Sequence, residues 1–599
     1  MTKQSVKEQE IPLPDLEALT TNTTALMEGL SRATAASLKP IEEGKVPGQP
    51  PEELSDMAKT FGAVMENLTA DPEKLVLAQT ALTRDFVNLW TGTLKKISGE
   101  PVEPIAEPDP SDRRFKDPEW NTNPVFDFIK QAYLITSRWA EDVVQKTEGV
   151  DDHTRHKAEF YLRQVTSALA PSNFVATNPE LIRETIKQNG DNLVRGMKML
   201  AEDIEAGKGR LKLRQSDDSK FKVGENMATT PGKVVFRNDL FELIQYTPTT
   251  ETVFKRPLLI VPPWINKFYI LDLNPEKSFI RWAVSQGLTV FVISWVNPDE
   301  KLAEKSFGAY MKEGVMTAQD QVEQACGEKE VTAIGYCVGG TLLSVTMAYM
   351  AAHNDHRIKS ATLFTTQVDF TYAGDLKVFA DEDQIKQIED KMYARGYLEG
   401  SSMANAFNML RPNDLIWPYV VNVYLKGQSP FPFDLLYWNS DSTRMPAANH
   451  SFYLRNCYLE NRLSKGEMVV EGVTLDLSKI KAPIYNLAAR EDHIAPAKSV
   501  FLGSRFFGGP VDYVLAGSGH IAGVVNPADK PKYQYWTGGK PVGALEDWIA
   551  KAEEHPGSWW PHWIKWIEDQ APEKVPARKP GGKLKTLGDA PGSYVLMKA

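Results

Sequence analysis

The chain has 599 residues, 42% of them hydrophobic and 24% charged, with a formal net charge of −10. That length exceeds what one ordinary core holds, so two or more domains are expected, and the acidity argues against a nucleic-acid partner, which needs concentrated basic surface. MTKQSVKEQEIPLPDLEALT has no apolar stretch of the secretory type, and no run approaches the roughly 18 apolar residues of a membrane span. The three cysteines, Cys326, Cys337 and Cys457, form no CxxC pair. They fit a reducing cytoplasm and exclude a disulfide scaffold or a cysteine zinc site.

Residues 1–110 are rich in polar helix formers and broken by proline clusters, KVPGQPPEEL and GEPVEPIAEPDPSD. A partly flexible N-terminal region is expected there. Within it Asp71-Pro72 supplies an N-cap and a first-turn proline. Leu75, Leu82, Phe86 and Leu89 then recur at helical spacing and predict one amphipathic helix, for packing or for a partner surface. A helical domain is expected over 111–225, its last helix broken by the glycines of AEDIEAGKGRL.

Beyond about 226 the period changes. VVFRNDLFELIQYTP reads as two short strands, and RPLLIVPP, LTVFVISW, VTAIGY, SATLFTT, APIYNLAA and VDYVLAG follow as apolar runs, most of them separated by helical stretches. That alternation predicts a parallel sheet covered on both faces. The gap between SATLFTT and APIYNLAA, about 115 residues, must carry its own structure. The expected fold is therefore α/β, and the elbow and strand-end residues described below make it of α/β-hydrolase type. A catalytic domain spans 226–570, with a cap (lid) inserted at about 367–481, and an extended C-terminal tail covers 571–599.

Gly335-Tyr336-Cys337-Val338-Gly339, set between a strand and the apolar run TLLSVTMAYMAA, has the form of a nucleophile elbow with cysteine in the serine position. A sharp turn of that kind leaves no room for a Cβ on the flanking glycines. It also sets the sulfur at a helix N-terminus, where the dipole and a nearby imidazole favour thiolate. Taken alone, GxCxG also suits a tight strand–helix junction in which cysteine is a compact hydrophobe. Two later strand ends favour chemistry. YNLAAREDHIAP carries Asp492 and VDYVLAGSGHIAG carries His520, in the order Cys, acid, His that this fold requires. His493 is a weaker candidate, as a neighbour of the acid or a substitute base. The HxxH pairs His153/His156 and His353/His356 lack the further ligands of a metal site. An oxyanion hole would use the Val338 amide and a second amide within PPWINKFYILDL. Pro262 and Pro263 have no N–H, which leaves Trp264, with Ile265 as the alternative.

These segments resemble the class I polyhydroxyalkanoate synthases, which polymerise 3-hydroxyacyl-CoA thioesters into storage polyester. The box GYCVGG carries the likeness, together with PPWINKFYILDL, SPFPFDLLYWNSDSTRMP, RLSKGEM, AGSGHIAGVVNP, GSWWPHW, SDRRFKDPEWN and APSNFVATNPE. It runs from about residue 110 onward. The resemblance implies an acyltransferase acting on short-chain (R)-3-hydroxyacyl-CoA, with Cys337 acylated, His520 activating it and Asp492 as third catalytic residue. Asp492 either orients His520 or itself deprotonates the incoming hydroxyl. No cofactor is implied, because the CoA thioester is the substrate. A homodimer, a cytoplasmic location at polymer granules, and contact with the growing polyester and granule surface are implied as well.

Thiol exchange with a thioester nearly conserves acyl activation, which suits transfer to a hydroxyl if water is excluded. The aromatic residues Trp417, Tyr419, Phe431, Phe433, Tyr437 and Trp438 are candidates for a dry cap wall, and GQSPFPFDLLYWNSDSTRMP for a dimer face. The cap is expected to bury Cys337 and to move for substrate entry. Two rival readings remain: a cysteine-type α/β-hydrolase acting as thioesterase or lactone hydrolase, and a non-catalytic granule scaffold.

Overall fold

The computed structural model describes residues 15–42, 52–530 and 532–599. Most of the proline cluster KVPGQPPEEL lies outside the described residues. The chain divides into two compact units, one of residues 1–217 with 411–432, the other of residues 218–410 with 433–599.

The first unit is helical. Where the sequence predicts one helix before residue 110, the described residues form three: Leu16–Glu42, Glu52–Thr69 and Pro72–Ile97. The first of these is rich in threonine and alanine, which thins out its apolar residues. Asp71 caps that third helix, its side chain accepting from the Lys74 amide at 3.2 Å. Leu89, Leu82 and Phe86 pack with Phe115, Trp120 and Leu134. Four further helices of eight or more residues follow, Pro124–Lys146, Asp152–Ala168, Pro179–Lys187 and Asp191–Ala206. Residues 411–432 fold with this unit, so the insertion expected at 367–481 does not form one self-contained cap. Its middle contributes Tyr424, whose hydroxyl donates to buried Asp203 at 2.7 Å.

The second unit is built on an eleven-stranded sheet. Its strands are β1 (Gly232–Arg237), β2 (Phe241–Tyr246), β3 (Leu258–Val261), β4 (Val290–Trp295), β5 (Val331–Tyr336), β6 (Ile358–Phe364), β7 (Ile484–Ala489), β8 (Val511–Ala516), β9 (Gln534–Thr537), β10 (Glu553–Pro556) and β11 (Gly588–Asp589). In space the order is β10-β9-β8-β7-β6-β5-β3-β4-β2-β1-β11. The six central strands β8-β7-β6-β5-β3-β4 run parallel, and the flanking strands are antiparallel. Buried on both faces, β5 divides its side chains by parity. Val331 and Ala333 join the apolar cluster on one face, Ile334 and Tyr336 the cluster on the other. Strand order reverses between β3 and β5, and in open α/β sheets the carboxyl ends at such a reversal form the binding crevice.

Residues 571–599 are extended but docked. Lys574–Pro576 pairs with Thr252–Phe254, β11 adds an edge to β1, and Val595 is buried. No helix among the described residues is long and apolar enough to cross a membrane.

Candidate active site

Strand β5 ends at Tyr336, and Cys337 follows with φ +52° and ψ −127°, a left-handed conformation that side chains rarely adopt. The turn is fixed on both sides. The Cys337 amide donates to the Phe364 carbonyl at 2.9 Å, and the Cys337 carbonyl accepts from the Gly340 amide at 2.9 Å. The glycine requirement is steric. A Cβ on Gly335 would stand 2.3 Å from Gly340 Cα, and one on Gly339 would stand 2.4 Å from the Val261 carbonyl oxygen. That second approach brings the start of helix Val338–Ala352 against the loop leaving β3, where both candidate oxyanion donors, Val338 and Trp264, reside. In the turns and loops of the described residues neither amide donates to a backbone carbonyl. Thr443 Oγ1 donates to the Trp264 carbonyl at 2.8 Å and also to that of Ile265, and Trp295 Nε1 donates to the Pro262 carbonyl at 2.9 Å. These bonds fix the peptide planes of the loop.

Asp492 lies just past β7 and His520 just past β8, and the structure brings them together: His520 Nδ1 is 2.7 Å from Asp492 Oδ2. The other carboxylate oxygen accepts from the Ile494 and Ala495 amides at 2.8 and 2.9 Å. Both oxygens are therefore engaged, and the carboxylate is fully buried. Burial disfavours charge on His520, but Asp492 and Cys337 outweigh it and push the imidazole up to about 10; the Cys337 thiol contributes a hydrogen bond as well as charge. The loop carrying His520 is held from below by indoles, with Trp559 Nε1 donating to the Gly523 carbonyl at 2.8 Å and Trp560 Nε1 to that of Val524 at 3.0 Å. GSWWPHW thus serves as a brace for the histidine loop. His493 is half-buried, and the imidazole paired with Asp492 is that of His520.

Cys337 is half-buried, where the sequence leads one to expect a fully covered thiol. The cap aromatics also differ from expectation. Trp417, Tyr419 and Phe431 belong to the stretch that folds with the helical unit. Tyr437 and Trp438 are buried beside the loop after β3, Trp438 Nε1 donating to the Lys267 carbonyl at 2.8 Å. Tyr453 and Tyr458 are buried rings on which, as on Tyr336, Cys337 acts electrostatically; the two stand perpendicular to each other at 5.6 Å. Sequence reading misses them because Leu454–Leu459 is a π-helical turn. A wider turn brings residues five apart onto one face, which a 3.6-residue period separates.

Comparisons with known proteins agree with this architecture. Residues 111–283 match the family model described as "Poly-beta-hydroxybutyrate polymerase (PhaC) N-terminus", and residues 261–527 match the alpha/beta hydrolase fold. The chain is similar to a poly(3-hydroxyalkanoate) polymerase of Methylorubrum extorquens, 63% identical over 98% of both chains. It is similar to the polymerase subunit PhaC of Rhizobium meliloti (strain 1021), 62% identical over 98% of this chain and 96% of the relative. With PhaC of Cupriavidus necator it shares 40% identity over 88% of this chain and 89% of the relative. The first of these matches takes in most of residues 1–110, a region outside the likeness read from the sequence.

Proposed function

This chain belongs to the poly(3-hydroxyalkanoate) polymerase family, and from that premise we propose that it polymerises short-chain (R)-3-hydroxyacyl-CoA, releasing CoA, through a thioester on Cys337. The observation that carries the reading is that Cys337, Asp492 and His520 follow the carboxyl ends of the parallel strands β5, β7 and β8, with His520 Nδ1 2.7 Å from Asp492 and the cysteine in a strained elbow.

In the first half-reaction the Cys337 thiolate attacks the thioester carbonyl. The Val338 and Trp264 amides hold the oxyanion. Collapse of the adduct expels the CoA thiolate, which takes the proton held on His520. In the second half-reaction His520, now neutral, takes the proton of an incoming 3-hydroxyl as that oxygen attacks the enzyme thioester, forming an ester and restoring Cys337. Asp492 acts by orienting His520, with one oxygen on Nδ1 and the other held by two backbone amides. Tyr453 and Tyr458 keep the acyl-enzyme dry. The working form is a cytoplasmic homodimer at the polymer granule.

Purified protein incubated with (R)-3-hydroxybutyryl-CoA should give polymer and free CoA. Free acid with CoA would make it a thioesterase, and no CoA release would make it a scaffold.

A further inference from the structure

Tyr336 ends β5 directly before the nucleophile, and the catalytic reading so far leaves it without a role. It is fully buried and packs in the apolar cluster on the face of the sheet opposite Val331 and Ala333. Two contacts tie it to the base. Its hydroxyl donates to the His520 carbonyl at 3.2 Å, and its ring lies nearly parallel to the imidazole, centroids 5.7 Å apart at 27°. Phe364 meets the phenol edge-on at 6.3 Å and 74°, so the ring has little freedom to follow a displaced histidine.

We propose that Tyr336 is a positioning residue for His520, fixing the base to the same strand end that carries the sulfur. This rests on the catalytic reading of His520. Asp492 restrains the imidazole through one ring nitrogen, which leaves rotation about that contact and movement of the backbone open. The Tyr336 hydroxyl removes the backbone movement, and the stacked ring limits the rotation. Nucleophile and base are adjacent in space but far apart in sequence, Tyr336 lying 184 residues before His520, so a single side chain joined to one and bonded to the other sets their separation. The phenol face also lies against a ring that carries positive charge during the cycle, and an aromatic face attracts such a charge. The charged and titratable groups acting on His520 are Asp492 and Cys337. Burial keeps Tyr336 neutral, its phenol held well above the ordinary range, so it acts as donor and ring, never as a base.

The test compares Tyr336→Phe, Tyr336→Leu and, as a control for loss of a buried phenol elsewhere, Tyr513→Phe, whose hydroxyl donates to the Ala497 carbonyl at 3.4 Å. CoA release from (R)-3-hydroxybutyryl-CoA is followed against substrate concentration and pH. Tyr336→Phe should lower kcat by roughly ten- to a hundredfold, the scale of a misplaced catalytic group, with KM and the alkaline limb of the profile unchanged. Tyr336→Leu should lower kcat and also move the alkaline limb to lower pH, because His520 loses its proton more easily without the ring. Tyr513→Phe should behave as wild type. A wild-type enzyme releasing no CoA would overturn the catalytic reading itself. Active wild type with unchanged kcat in Tyr336→Phe, or an unmoved alkaline limb in Tyr336→Leu, would overturn the positioning role alone.

Discussion

Lys267 and Asp441 form an ion pair out of reach of water, Nζ to Oδ1 2.8 Å, with side-chain exposures of 3% and 2%. Tyr269 donates to the second oxygen of Asp441 at 2.9 Å, and Lys267 also donates to the Met597 carbonyl at 2.8 Å. The network joins the candidate oxyanion loop, the end of helix Asp434–Ser440 and the C-terminal segment. Removing one member of such a pair strands the other charge, at a cost of about 3–5 kcal/mol. Asp441→Ala should therefore lose stability on that scale in urea unfolding, with CoA release falling more than the folded fraction. A loss under about 1 kcal/mol, typical of a solvated pair, would contradict a buried role.

Asp492→Asn should separate the two half-reactions. A thiol gives up its proton far more readily than an aliphatic hydroxyl, so a weakened His520 hinders elongation more than the first acylation. Rapid-quench measurement should find a burst of about one CoA per site followed by a rate at least ~100-fold slower. Equal slowing of burst and steady state would refute this division.

The raised affinity of His520 for its proton has a consequence for stability. Its folded-state value of about 10 exceeds the ordinary 6.5, so the folded protein binds this proton more tightly than the unfolded chain. The resulting stabilisation is complete below about pH 6.5 and is lost as pH rises toward 10. The urea midpoint of wild type minus that of His520→Gln should shrink steadily over that window. A constant difference would show that the imidazole carries no extra proton affinity.

Phe431 is 83% exposed and Phe433 41% exposed, whereas Tyr437 and Trp438 are buried. The proline-rich stretch thus divides into an outward aromatic part, which the proposed dimer would cover, and an inward part. Phe433→Glu should yield a folded, sluggish monomer by sedimentation and circular dichroism. A folded dimer with normal kinetics would remove this face from the assembly.

The sheet was legible because each central strand is a largely apolar run, and Cys337, Asp492 and His520 stand where three such runs end. Gly335 and Gly339 were readable for the same reason: a turn that tight excludes any side chain. Other parts depend on pairing at long range. Residues 411–432 look like the rest of the insertion in composition, yet Tyr424 finds Asp203 in the helical unit. Gly588–Asp589 has no strand signature, and it becomes an edge strand because β1 offers unpaired backbone groups. Tyr453 and Tyr458 come together through a π turn, which no period read from sequence anticipates. Tyr336 was visible only as the residue before the cysteine, and its bond to His520 exists only once β5 and the loop after β8 are side by side.

The central claim is that Cys337 carries the acyl group. The direct measurement is peptide mass spectrometry of Asp492→Asn quenched in acid during the burst with (R)-3-hydroxybutyryl-CoA. A hydroxybutyryl thioester on the peptide containing Cys337 is the expected result. It should be absent from the peptides of Cys326, whose sulfur donates to the Val322 carbonyl at 3.0 Å, and of Cys457, whose thiol is fully buried. CoA release at burst stoichiometry with Cys337 unmodified, or undiminished release by Cys337→Ala, would contradict the account.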